Sequence, residues 1–268
     1  MTTETSGIEG VLGFEVEDGV ALLTLNRPES LNALNSELQR AIGDAFVRIR
    51  NDDAIRVAVI RGSGRAFCAG VDLKERAARE AQGDARPGEF FSTSVPPSYV
   101  TFDAKKPLIA AIHGHCLAGG LELALACDLR VASDVARFGL PEIQRGFFPG
   151  GGGPQRLMRQ LPHAVALDLL LTGEPMDAES ALRVGIVSRL FAEDELLPRT
   201  MEMARRIAGY APLAVRSLRE ISYASTDIPL ERSLRFGNSL RWIIGQTEDA
   251  KEGPRAFSEK REPQYRGE

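Results

Sequence analysis

The chain has 268 residues, enough for one large domain or for a domain with a smaller appendage, and its 43% hydrophobic and 26% charged residues are those of a globular rather than a disordered chain. A net charge of −4 offers no overall attraction to nucleic acid, and no apolar run approaches the roughly 20 residues that span a bilayer, so neither a nucleic acid nor a membrane is an expected partner. Met1–Gly10 has neither a basic-then-apolar order nor an Arg-rich composition, and Cys68, Cys116 and Cys127 form no CxxC, so a cytoplasmic protein with buried, reduced thiols is expected.

In chain order, Phe14 to Leu25 is expected to form a hairpin, because two apolar-rich runs flank Asp18-Gly19. Asn35 or Ser36 can cap a helix reaching about Arg50, with Leu38, Ile42, Ala45, Phe46 and Ile49 on one face. Val57 to Ile60 is a short strand, followed by the loop GSGRAFCAG. Residues 76–100, charged and interrupted by glycine and proline, suggest a partly mobile surface segment. Pro107 to His113 reads as a buried strand, Gly114 to Gly120 as a small-residue turn, Leu121 to Ala126 as a helix and Leu129 to Ala132 as a strand. Beyond Gly150 the pattern is helical over 154–161, 163–171, 177–184, 194–209 and 212–224, with one strand at Ile186 to Phe191. From about residue 230 a charged helical stretch is interrupted by Pro254. Strands and helices first, then mostly helices, indicate an α/β core with a helical C-terminal part.

Two glycine-containing turns follow strands and open onto helix starts: Cys68-Ala69-Gly70-Val71-Asp72 and Ala118-Gly119-Gly120-Leu121-Glu122. Helix first turns leave N–H groups unpaired at the positive end of the dipole, so two of them aimed at one point can hold an oxyanion. Glu122 lies in LAGGLELALAC and Glu142 in RFGLPEIQRGFFPG. A carboxylate among apolar neighbours is costly to bury unless it is paired or used, although each also fits an ordinary helix-start or loop acid. Gly150 to Gly153 lacks the GK[ST] ending of a phosphate loop and reads as a flexible turn before a helix whose first position suits Pro154. His113-Gly114-His115 offers two metal ligands without a third nearby, so no metal is expected.

Taken together, these motifs resemble the enoyl-coenzyme A hydratase/isomerase (crotonase) superfamily almost end to end. The resemblance is carried by LTLNRP (residues 23–28), GRAFCAGVDLK (64–74), GGLELA (119–124), FGLPE (138–142) and TEDAKEG (247–253). It implies a spiral of repeated ββα units with a helical C-terminal region, here divided into a core at 1–200 and an oligomerisation region at 201–268. It also implies a homo-oligomer, either a trimer or a dimer of trimers. By the motif match, the amides of Val71 and Gly119 would form the oxyanion hole for an acyl-CoA thioester. Ala69, Gly70, Val71, Asp72, Leu73 and Lys74 would line the coenzyme A channel, with Gly119 beside them. Coenzyme A would enter as part of the substrate, and no separate cofactor is expected.

Hydratases of this family carry two catalytic glutamates, and both matching positions, Glu122 and Glu142, hold glutamate. The expected reaction is hydration of a 2-enoyl-CoA of the fatty-acid type, with Glu122 activating water and Glu142 delivering the proton to C2. A carnitinyl-CoA-type dehydratase or an enoyl-CoA isomerase is the alternative within the family. A non-catalytic acyl-CoA or RNA binder is the alternative outside its chemistry. Phe147 and Phe148, where smaller residues are commoner, either shape the acyl pocket or pack in the core. In the last helix Phe257 and Lys260 are spaced i, i+3 and would contact adenine and phosphate.

Overall fold

A computed structural model describes residues 10–81 and 103–268. The chain enters as the expected hairpin, β1 (Leu12–Glu17) and β2 (Val20–Leu25), paired antiparallel. α1 (Ser36–Asn51) follows, and Asn35 is its cap, its side chain accepting the Leu38 N–H at 2.9 Å. Three successive strand pairs then build two sheets at once. β3 (Val57–Gly62), β5 (Leu108–Ile112) and β7 (Leu129–Ser133) join the hairpin in a parallel array, while β4 (Ala66–Cys68), β6 (His115–Leu117) and β8 (Arg137–Gly139) lie side by side in a second sheet. Helices close the first two repeats, α2 (Leu73–Ala81) and α3 (Gly119–Ala126), and a 3-10 turn (Pro141–Arg145) follows the third. This succession of strand, strand and helix is the spiral of ββα units that the resemblance implies.

The large sheet runs β1-β2-β3-β5-β7-β10, where β10 is Arg189–Phe191, and is covered on both faces, which is why β3 and β5 read as continuous apolar runs. One face meets α1 through Leu38, Ile42 and Phe46, against Leu23, Leu25, Ala58 and Ile60. The other meets α7 (Glu193–Ala208), where Leu196, Ala204 and Ala208 pack on Val20, Val57, Val59 and Val131. In chain order, α4 (Gly153–Gln160), α5 (His163–Thr172), β9 (Met176–Asp177), which joins β8 in the second sheet, α6 (Ala178–Val184) and β10 precede α7. The chain ends in α8 (Pro212–Ala224), α9 (Leu230–Ile244) and α10 (Glu248–Glu259). Residue 200 falls inside α7, and every described element from Glu193 onward is helical. None of the described helices is long and apolar enough to cross a membrane.

Several expectations are corrected. GSGRAFCAG is not all loop: Ala66–Cys68 forms β4, which pairs with β6 through Ala66 and Cys68 and is fully buried. Likewise Gly114 to Gly120 contains β6, and α3 starts at Gly119, two residues before the apolar string. Strands of three residues are too short to show a periodicity, and their pairing is supplied by distant segments. The charged segment starting at 76 is helical through Ala81, and its remainder, 82–100, lies outside the described residues. α10 runs through Pro254 instead of stopping there.

Candidate active site

The first glycine turn is forced into place by close approach. Gly70 has φ +102, and a Cβ there would lie 2.5 Å from Ala118 Cβ and 3.2 Å from the Gly119 nitrogen. A Cβ on Gly120 would lie 2.3 Å from the Cys68 carbonyl oxygen. Only glycine allows the end of β4 and the start of α3 to touch in this way. Ala118, which caps α3, is held at φ 51 and ψ −129, a region costly for a residue with a side chain and one that tends to persist at functional sites.

The two amides singled out in the sequence are therefore neighbours. Gly119 is the first residue of α3, where an N–H has no intrahelical acceptor. Val71 is bridged to Leu34: the Leu34 N–H donates to Gly70 O (2.7 Å), and the Asp72 N–H donates to Leu34 O (3.1 Å). In a planar trans peptide C=O and N–H point in opposite directions, so the Val71 N–H faces away from Leu34. Val71 itself is 40% exposed, and Leu73 and Lys74 are exposed beside it, while Gly70 is buried. Ala69 to Lys74 thus forms a rim exposed to solvent at Val71, Leu73 and Lys74 and tied to the core through Gly70 and Leu34.

Glu122, one turn into α3, is 3% exposed. Its Oε1 accepts the Gly153 N–H at 2.9 Å, and the Gly151 amide adds to the hold. Burial raises its pKa above the ordinary carboxylate value, while those two amides and the charge of Arg156 pull the other way. Gly150 to Gly153 is therefore more than a flexible turn: Gly152 (φ +91) caps α4, and the helix start delivers its amide to Glu122. Nothing in the run of glycines distinguishes that role, because the partner lies 31 residues upstream.

Glu142 sits in the 3-10 turn after β8 and is 5% exposed. Its Oε2 is buried without a hydrogen-bond partner among the described residues. Burial pushes its pKa up to about 7, reinforced by the charge of Glu122 and opposed by its own backbone amide and Arg145. A carboxyl that titrates near neutrality, next to a second carboxylate, can exchange a proton at physiological pH.

Phe147 is half-buried beneath the Arg76 guanidinium, 4.4 Å from its ring centroid, and Phe148 is 72% exposed. Neither joins the core. At the C-terminus Phe257 is 87% exposed on α10, whereas Lys260 lies past the helix end at φ 54. The left-handed cap swings Lys260 off the helical face, so the i, i+3 alignment expected for these two side chains does not hold. His113 is buried with Nε2 2.9 Å from the Gly64 carbonyl oxygen.

A model of the family described as "Enoyl-CoA hydratase/isomerase" matches residues 15–268. The chain is 41% identical to (E)-benzylidenesuccinyl-CoA hydratase of Thauera aromatica, over 94% of this chain and 98% of that one. It is 42% identical to carnitinyl-CoA dehydratase of Proteus mirabilis, over 91% and 94% respectively. Among solved structures, enoyl-CoA hydratase from Mycobacterium tuberculosis superposes with a TM-score of 0.89 at 35% identity, covering 97% of this chain and 100% of that one. An enoyl-CoA hydratase subunit from Geobacillus kaustophilus gives 0.87 at 37% identity, covering 97% and 99%.

Proposed function

Because this chain belongs to the enoyl-CoA hydratase/isomerase family, we propose that it adds water to the double bond of a 2-enoyl-CoA thioester, giving the 3-hydroxyacyl-CoA. The observation that carries this reading is the pair of buried glutamates: Glu142, with an Oε2 unpartnered among the described residues and a pKa of about 7, within the influence of the Glu122 charge. Isomerisation needs only one group to shuttle a proton, whereas hydration needs one to activate water and one to protonate carbon.

Glu122, anchored by the Gly153 amide, takes a proton from water as the oxygen bonds to C3. The electron pair of the double bond moves toward the thioester oxygen, where the Val71 and Gly119 amides stabilise the charge. Glu142 then gives its proton to C2. Losing one such amide donor typically costs about 2.7–4 kcal/mol of barrier. The reverse direction runs through the same groups with their roles exchanged.

A dehydratase working on a carnitinyl-type thioester is the second reading, favoured by relatives of 40–43% identity that carry that name. Both readings share the chemistry and differ in the acyl group. The test is loss of the conjugated enoyl absorbance on adding enzyme to thioesters of graded chain length, with the dehydration product of carnitinyl-CoA in the same panel. Glu122→Gln and Glu142→Gln should each lower kcat by at least about 10²-fold with thioester binding retained. Near-normal turnover in either variant removes that residue from the mechanism.

A further inference from the structure

The Val71 amide is aimed by a segment far from it in sequence. Gly70 O is fixed by the Leu34 N–H, Asp72 N–H by Leu34 O, and Ala69 N–H by Leu31 O (3.0 Å). Whatever places residues 31–34 therefore sets the direction of the Val71 N–H. That segment is unusual. Leu31 and Asn32 both have positive φ, 51 and 55, and neither is glycine. Asn32 is fully buried: its Oδ1 accepts the Arg27 N–H (2.9 Å), and its Nδ2 donates to Ser63 O (2.9 Å) and Ala66 O (2.8 Å). It locks the segment to the strands on either side of the 63–65 turn.

One side chain links this segment to the oxyanion rim directly. Arg27 donates through Nη1 to the Ala33 carbonyl and through Nη2 to Asp72 Oδ2 at 3.0 Å. Both ends of the ion pair are 15% exposed, so solvent screens it weakly. The guanidinium thus spans from the residue before Leu34 to the residue after Val71, its planar fork setting the spacing of the two strands of the bridge. Asp72 is committed at its other oxygen, Oδ1, which caps α2 by accepting the Lys74 and Glu75 N–H groups (3.1 and 3.3 Å). A rotation of Asp72 would tilt both the helix start and the Val71 peptide.

We propose that Arg27 is a positioning residue for the oxyanion hole, holding the Leu34–Val71 bridge so that the Val71 N–H meets the thioester oxygen. This rests on the oxyanion reading of Val71 given above. The guanidinium bonds a carbonyl and a carboxylate of the protein, and its effect on the reaction passes through the peptide it holds.

The test compares wild type, Arg27→Met and Arg27→Lys. Turnover of a 2-enoyl-CoA is measured together with the infrared carbonyl stretch of a bound saturated acyl-CoA, which cannot be hydrated and whose C=O frequency falls when amides polarise it. Arg27→Met should lower kcat by at least about 10-fold, a part of the 10²–10³-fold expected for complete loss of a donor, with KM within about twofold. It should also give a smaller carbonyl downshift than wild type. Arg27→Lys, which keeps the charge but cannot bridge both acceptors with one rigid fork, should recover part of both effects. If Arg27→Met does not fold by circular dichroism, Asp72→Asn, which keeps an Oδ1 to cap α2 but loses the ion pair, should show the same paired loss.

Unchanged kcat overturns the proposal, and so does a fall in kcat with the full carbonyl downshift retained. A rise in KM that disappears with an acyl-pantetheine thioester would assign Arg27 to the nucleotide and also overturn it. No carbonyl downshift in the wild type would overturn the oxyanion reading of Val71 and this proposal with it. A normal downshift in the wild type with no change in the variants would overturn this proposal alone.

Discussion

At the residue scale the decisive group is Glu142. Hydration as proposed needs it protonated and Glu122 ionised. The kcat/KM profile should therefore fall on the alkaline side as Glu142 loses its proton, near pH 7. It should fall on the acid side at a pH above the ordinary carboxylate value, since burial raises Glu122. Glu142→Gln should abolish the alkaline limb in whatever activity remains. A limb that persists would assign it to another group.

The same shift has a cost in stability. Between 4.5, its ordinary value, and about 7, native Glu142 keeps a proton that the unfolded chain has released. Stability must therefore fall as pH rises through that window. Glu142→Gln removes the titration, so the variant should gain on wild type by up to about 3 kcal/mol above neutrality and by under about 1 kcal/mol near pH 5. Urea unfolding of both proteins at about pH 5 and pH 8 measures this, and an equal difference at the two pH values would contradict it.

At the element scale the site depends on how closely β4 and α3 approach. In Gly120→Ala the added Cβ would lie 2.3 Å from the Cys68 carbonyl and 2.7 Å from Cys68 Cβ, so α3 must move away from β4. The Gly119 amide and Glu122 ride on that helix start. Gly120→Ala should lower kcat by at least about 10-fold and destabilise by about 1–3 kcal/mol, the usual range for overpacking. Gly150→Ala is the control, since nothing among the described residues lies within 4 Å of its Cβ position. Comparable losses in both variants, by turnover and thermal melting, would show that the fit of α3 against β4 is not what matters. A sequence reader sees two glycines after a strand. That one of them admits a carbonyl from a strand more than 50 residues earlier becomes visible only when the sheet is assembled.

At the scale of the whole molecule, the C-terminal helices leave much of their apolar surface exposed. α8 buries none of its residues within the chain, and α9 buries only Ser233. Leu218, Leu230, Leu234 and Trp242 are each more than half exposed. Such a surface is costly to leave in water and supports the proposal that copies of this chain assemble through it. Trp242→Glu and Leu234→Glu should each shift the protein to a smaller species by sedimentation, whereas Met158→Glu on α4 should not. A monomeric wild type would remove the proposal.

By itself the sequence determined the hairpin, α1 and the apolar central strands, and it singled out the two acids proposed for catalysis. In each case the signal is local, either a periodicity, a turn dipeptide or a motif at fixed spacing. Its resemblance to a family also pointed to Val71 and Gly119, because both stand in motifs at the family's spacing. What it left open are the contacts between segments far apart in the chain. These are the three-residue strands β4 and β6, the Gly153 amide on Glu122, the Arg27–Asp72 link, and the turn of Lys260 away from Phe257. Only the tertiary structure decides these, because a short strand is defined by its partner, and the protonation of a buried carboxyl is set by the burial, charges and amides around it.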